Sequence, residues 1–292
     1  MSGPTVGAGA SRVGEAVRDA CLGELAALKP GNVHVYAGGH GMTVEDFQKS
    51  AAVTAEVLGR PGLSVGERIQ GSVEATSKAV GCNTNLGIVL LCAPLAHAAL
   101  AGDAGAGLRA GVSRVLDGLD VADCELAYRA IRLAAPSGLG SSDRHDVGRR
   151  PTVTLLDAMN EARDRDRVAR QYATAFEDVF GFGVPRFEDA MGRWNSDGWA
   201  TTSVYLGFLG RFPDSHIART RGAAAAETVR RKAAVLDRRF HGCRRPPDMR
   251  GALLEFDAEL KAAKHNPGTS ADLTVATLLA VRLADLDDTA AR

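Results

Sequence analysis

Apolar residues in this chain recur every three to four positions behind helix-starting signals, and no run of alternating apolar residues is long enough to commit to a sheet. Ser64-Val65-Gly66-Glu67 forms a capping box, in which the hydroxyl accepts from the backbone three residues on and the carboxylate reaches back. Ile69, Val73, Thr76 and Val80 then share a face, which predicts a helix of about four turns. Thr43 caps a second helix with Phe47, Ala51, Thr54 and Leu58 on one face, and Gly59-Arg60-Pro61-Gly62 stops it. Asp120 starts another, with Leu126, Ala127, Ile131 and Ala134 behind it. The same period predicts helices near 12–28, 86–101, 105–117, 153–179, 186–194, 201–211, 223–240, 249–263 and 271–285. The expected fold is all-α: a single multi-helix domain over residues 1–292, with its core at about 12–285 and polar, Gly-rich loops forming one cleft.

Composition agrees and narrows the function. Only 5% of residues are aromatic and 33 are Gly, which favours closely packed helices over an aromatic-rich sandwich. Thirty-five Lys and Arg balance 35 Asp and Glu, which argues against a nucleic-acid coat or a polybasic membrane binder. The balance is global but not local, because residues 219–250 hold ten basic against three acidic residues. That stretch reads either as a solvated Arg-rich helix or as one whose start attracts a polyanion. Cys21, Cys82, Cys92, Cys124 and Cys243 include no C-x-x-C pair, so neither a disulfide framework nor a zinc site is implied. The first residues lack a basic segment followed by an apolar one, and the apolar stretch Leu86 to Leu100 is too short to span a bilayer. A cytoplasmic protein is the expectation.

Irregular polar segments are expected at 29–42, 81–87, 136–151, 195–200, 213–222 and 265–270, and five constellations in them can carry chemistry. Lys29-Pro30-Gly31-Asn32-Val33-His34, followed by Gly38-Gly39-His40-Gly41, combines cationic donors with glycines that let backbone amides approach an anion. It reads as a phosphate loop or as a Pro-Gly turn, and its order of Gly and Lys is not that of a P-loop. Asn83, Thr84 and Asn85 precede the apolar helix, where one cap would suffice; the surplus suits a ribose hydroxyl or a phosphate oxygen. Gly138 to Arg150 gathers Asp143, Arg144, His145 and Asp146 in one loop. It reads as an acid or base beside phosphate-binding arginines, or as a solvated loop. Arg163 to Arg167 alternates in sign, as an exposed salt-bridged turn does. Asp214, His216 and Arg219 can meet on one irregular turn, with helix capping by Asp214 as the competing reading. In His265-Asn266-Pro267-Gly268-Thr269-Ser270-Ala271-Asp272, Ser270 reads as a cap and Asp272 as a first-turn acid, whereas the turn containing Asn266 is not needed by the cap. No segment has the helical ligand spacing of a zinc enzyme, and Mg2+ held by substrate phosphates and one or two carboxylates is compatible.

Taken in order, these motifs resemble the triphosphoribosyl-dephospho-CoA synthase family. The matching residues are Lys29-Pro30-Gly31, Met42 with Glu45-Asp46-Phe47 and Ser50-Ala51, Asn83-Thr84 with Gly87, Asp214 with Ala218 and Gly222, and Asn266-Pro267-Gly268 with Ser270-Ala271-Asp272-Leu273. The resemblance runs from about residue 20 to 285. It implies a helical transferase that moves the 5-triphosphoribosyl group of ATP onto the ribose 2′-hydroxyl of dephospho-CoA and releases adenine. Breaking that N-glycosidic bond calls for a carboxylate near the sugar, a base for the hydroxyl and cations on the triphosphate. The resemblance then assigns Lys29, Arg144 and Arg219 to phosphates, Asn83 and Thr84 to ribose or phosphate, and Asp46, Asp214 or Asp272 to the carboxylate roles. Gly31, Asn32, His34, Asn85, His216, Asn266 and Ser270 complete the expected binding set.

The chain departs from the citrate-lyase type of member. His34 follows Val33, Gly41 precedes Met42, and the usual Asn-Thr-His-Lys-Gly reads Asn83-Thr84-Asn85-Leu86-Gly87, so at least one acid and one cation of that type are absent. This pattern is more similar to an archaeal and methylotroph branch. It implies, as an alternative, phosphoribosyl transfer from ATP or phosphoribosyl pyrophosphate to the ribitol of a tetrahydromethanopterin precursor. A second alternative is a scaffold or regulator that kept the fold and lost the chemistry. The expected partners are small phosphorylated molecules and, from the frequency of such assemblies, a second copy in a homodimer.

Overall fold

The computed structural model describes residues 6–35, 41–102 and 107–291. Fourteen α-helices occupy them: α1 (Val6–Ala26), α2 (Val44–Leu58), α3 (Val65–Val80), α4 (Leu86–Ala101), α5 (Gly107–Asp117), α6 (Val121–Ala134), α7 (Leu155–Ala162), α8 (Arg167–Ala173), α9 (Val184–Trp194), α10 (Asp197–Arg211), α11 (Ser215–Arg221), α12 (Ala223–Gly242), α13 (Arg250–Ala262) and α14 (Gly268–Ala291). A π-helical turn at Val179–Gly183 leads into α9, a 3-10 turn at Pro246–Met249 leads into α13, and no strand occurs among the described residues. The expected Gly38-Gly39-His40 motif and the start of the helix at 105 lie outside the described residues.

The local signals form as written. Thr43 with Asp46, Ser64 with Glu67, and Asp120 with Asp123 each make a reciprocal capping box. Side-chain and backbone partners thus cover amides that would otherwise be orphaned at those helix starts. Helix α4 is apolar all round and buried along most of its length, so it serves as a central post against which α1, α3, α5 and α14 pack. Close approach elsewhere depends on a small residue. A Cβ on Gly66 would stand 2.6 Å from Asp123 Cα, at the contact of α3 and α6.

Three expected boundaries change. The stretch 153–179 is not one helix: Asp166 caps α8 by accepting from Val168 and Ala169 N–H, and Ala175 and Phe176 take positive φ values of 46° and 58°. Residues 213–222 are largely helical, because Asp214 accepts from the amides of His216 and Ile217 and starts α11. Ser270 is not the cap of the last helix, which begins two residues earlier at Gly268.

The hydrophobic interior has two clusters. The larger draws on α1 to α10 and α14; the smaller holds Tyr205, Leu206, Ile217, Val229, Phe240, Leu253 and Leu260. Leu28 belongs to the smaller cluster, and the adjoining Pro30 carbonyl accepts from the Tyr205 hydroxyl at 2.6 Å. The 29–34 loop is therefore seated at the seam between the clusters.

Candidate functional site

The loop after α1 is held from the inside. Lys29 has no exposed surface; its ammonium donates to the Glu24 carboxylate and, at 3.0 Å, to Asn32 Oδ1. Asn32 donates in turn to Asn266 Oδ1 at 2.8 Å. Gly31 N–H donates to Asp257 Oδ1 at 2.8 Å, and His34 Nε2 lies 3.3 Å from the same oxygen. Gly31 has φ +84° and faces Leu260 and Pro267, atoms of which would lie 2.8–2.9 Å from a Cβ, so both backbone and space require glycine.

A second knot joins the starts of α11 and α14. Asp214, 3% exposed, accepts at one oxygen from His216 N–H (3.0 Å) and Ile217 N–H (3.1 Å), and at the other from Ser270 N–H and Ser270 Oγ–H, both at 2.8 Å. The His216 ring donates from Nδ1 to the Asn266 carbonyl at 2.8 Å, since a carbonyl only accepts. Glu24, Lys29, Asn32, Asn266, His216, Asp214 and Ser270 thus form one continuous polar network.

The start of α4 completes the group. Asn83 accepts from Leu86 N–H at 3.1 Å and so covers one amide of the helix start, while Asn85 holds the N-cap position without a side-chain cap bond. Thr84 bonds Ser50 Oγ at 2.6 Å, and Asn85 donates to Thr54 and Thr76 hydroxyls. Asp272 lies over Gly87, where a Cβ would stand 2.6 Å from the Asp272 Cγ. Asp272 is partly exposed, and no hydrogen bond to its carboxyl group occurs among the described residues. Withdrawal from water pushes its carboxyl well above the usual range, the charges of Asp214, Glu24 and Asp166 push it further, and Arg219 opposes them.

Segments 29–34, 83–87, 214–219 and 266–272 therefore converge, while two expected members stand differently. Arg144 is 72% exposed and 3.7 Å from Glu161, in a loop tied to α6 through the Tyr128 hydroxyl and the His145 carbonyl, so it is a surface cation rather than a member of this group. Asp46 turns back onto Thr43, accepting from its N–H (2.9 Å) and hydroxyl (2.8 Å), which lowers its carboxyl below the ordinary value. Arg219 reaches the group but is engaged by Asp166 at 3.0 Å and by the Ser137 carbonyl. Lys29 is placed as a buried counter-ion, not as a solvent-facing cation.

Sequence reasoning missed Glu24 and Asp257, read Asp166 as part of an exposed turn, and gave Ser50 only as a matching motif residue without a place at the site. Glu24 left one signal, an acid on the last turn of a helix five residues before a lysine. Asp257 left none, since an acid paired with Lys261 at helical spacing reads as surface, and its partners in the 29–34 loop are more than 220 residues away. Among the described residues no group of three or more His, Cys, Asp or Glu is arranged to hold a metal ion, and no helix is long and apolar enough to cross a membrane.

The family model described as ATP:dephospho-CoA triphosphoribosyl transferase matches residues 10–290. A crystal structure from Archaeoglobus fulgidus, described as that of a candidate triphosphoribosyl-dephospho-CoA synthase, superposes with a TM-score of 0.61 at 23% identity, covering 82% of this chain and 98% of that one. At that identity the likeness is one of fold. Comparison with curated proteins gives no match.

Proposed function

Since the chain belongs to the ATP:dephospho-CoA triphosphoribosyl transferase family and is a transferase, we propose that Asp272 is the carboxyl group at which it moves the 5-triphosphoribosyl group of ATP to the 2′-hydroxyl of dephospho-CoA. One observation supports this choice. Of the three candidate carboxylates, Asp46 is consumed by a helix cap and Asp214 by four donated hydrogen bonds, whereas Asp272 accepts none among the described residues.

The chemistry suits a raised carboxyl. A neutral acid donates its proton to the departing adenine as the glycosidic bond breaks, and the resulting carboxylate steadies the positive charge that develops on the ribose. Arg219 is a cation whose charge opposes the rise of the Asp272 carboxyl, and it is among the residues assigned to the triphosphate. Mg2+ would be held by the substrate phosphates with one or two carboxylates, and would neutralise charge on the triphosphate.

The test incubates the protein with ATP and dephospho-CoA and separates the products by chromatography. Adenine is expected together with the ribosylated acceptor, and Asp272→Asn is expected to lower kcat by about 10²–10⁴-fold. A protein that releases no adenine with this acceptor refutes the reading. Release only with a ribityl pterin moves the acceptor to that class.

A further inference from the structure

Near Asp272, helices α1 and α2 and the start of α4 enclose a small cleft whose lining includes Glu24, Phe47, Ser50, Asn85 and Ile88. Its volume of about 10 Å³ is at the threshold for one water-sized group. A phosphate with three terminal oxygens, or a purine, is far too large for it.

The polar lining consists of acceptors. Glu24 uses one carboxylate oxygen for Lys29, and among the described residues the other accepts no hydrogen bond. Asn85 spends its amide nitrogen on Thr54 Oγ1 (2.8 Å) and Thr76 Oγ1 (3.2 Å), which leaves its carboxamide oxygen. Ser50 donates its proton to the Asp46 carbonyl at 2.7 Å, so the Ser50 oxygen receives the hydrogen bond from Thr84 and presents only lone pairs. Three acceptors, one of them anionic, repel phosphate and match a hydroxyl donor. Phe47 and Ile88 supply the apolar wall that keeps bulk water away.

We infer that this cleft receives the attacking hydroxyl of the acceptor and that Glu24 is the base that takes its proton, an assignment that rests on the transfer reaction proposed above. The hydroxyl oxygen forms a bond to C1 of the ATP ribose as the bond from C1 to N9 of adenine breaks. The bonding pair leaves with adenine, the hydroxyl proton passes to the Glu24 carboxylate, and Asp272 gives adenine a proton. Exchange with solvent then returns one proton to Asp272 and removes one from Glu24. Lys29 has a clear part in this. Burial raises the Glu24 carboxyl above its usual value, and the adjacent ammonium offsets part of that rise. A lysine with no exposed surface is the counter-ion of the base rather than a ligand for phosphate.

Glu24→Gln preserves shape and removes the charge, while Glu24→Asp keeps the charge with a shorter reach. The titratable groups that interact with Glu24 are Lys29, Cys21, Tyr205 and Asp272, so the pH profile of each variant is measured beside the wild type. Wild-type protein is expected to release adenine, with E24Q slower by about a hundredfold or more, its KM for ATP nearly unchanged and the acid limb of its pH–rate profile lost. E24D is expected to recover part of the rate and the acid limb. A second arm measures binding by calorimetry without ATP. Wild-type protein is expected to bind dephospho-CoA about tenfold more tightly than its 2′-deoxy analogue, and E24Q to bind the two equally. Adenine release by E24Q at close to the wild-type rate, or equal binding of the two acceptors by the wild type, overturns the assignment while leaving the transferase reading intact. Wild-type protein that releases no adenine yet discriminates between the acceptors refutes the transferase reading and retains the hydroxyl cleft.

Discussion

Gly87 lies directly against the carboxyl group of Asp272, and a Cβ at Gly87 would collide with it. The first turn of α4 therefore sets the height of the acid. Gly87→Ala is expected to displace the carboxyl and lower kcat by about ten- to a hundredfold, the scale of a small misplacement in a reacting geometry. ATP binding, followed by its effect on the melting temperature, is expected to persist. An alanine variant with unchanged kcat would mean that Asp272 is not the acid.

The raised carboxyl of Asp272 makes a separate statement about stability. The folded state holds this proton more tightly than the unfolded chain does, so its contribution is fully present below the unfolded value and is lost as pH rises through the folded one. Asp272→Asn cannot ionise. It is expected to melt above the wild type at alkaline pH and to lose that advantage as pH falls through the raised folded-state value toward the unfolded one. Parallel melting curves across that range would contradict the proposed protonation state.

Asp214 covers two helix starts with one carboxylate, and an amide cannot do the same. In Asp214→Asn the nitrogen faces either the amides of α11 or those of Ser270, donor against donor. At about 0.5–2 kcal/mol for a lost cap, and with one of the two sides still served by the amide oxygen, the expected destabilisation is about 0.5–2 kcal/mol. Chemical denaturation measures it, and a loss of activity without a loss of stability would return Asp214 to a direct part in the chemistry.

The capping boxes at Thr43, Ser64 and Asp120 were legible in the sequence because both partners lie within four residues. Asp214 was legible only as an alternative between cap and catalyst, since its second partner, Ser270, is 56 residues away. The fate of Lys29 was hidden for another reason. A lysine after a helix is usually solvated, and only packing of the smaller cluster behind Leu28 and Pro30 closes water out. Arg144 illustrates the opposite error: a loop rich in acids, imidazole and guanidinium groups has a catalyst's composition, yet Arg144 is held toward Glu161 on the surface.

Gly66 provides a test away from the site. Its missing Cβ lets α3 and α6 meet, and its N–H donates to Asp123 Oδ1 at 2.7 Å. Gly66→Ala is expected to destabilise the fold by about 1–3 kcal/mol, the usual cost of forcing atoms into a packed contact. Thermal unfolding checks this, and transferase turnover below the melting transition is expected to stay close to wild type.

The seating of the 29–34 loop between the two hydrophobic clusters limits how this enzyme can be altered. Tyr205 and Leu260 press on the loop from the smaller cluster, while Glu24 anchors it from α1 in the larger. Repacking the smaller cluster for thermostability would shift the ammonium that accompanies the base. The contact of α3 and α6 lies outside this arrangement, so it is the region in which stability can be tuned while the chemistry is left alone.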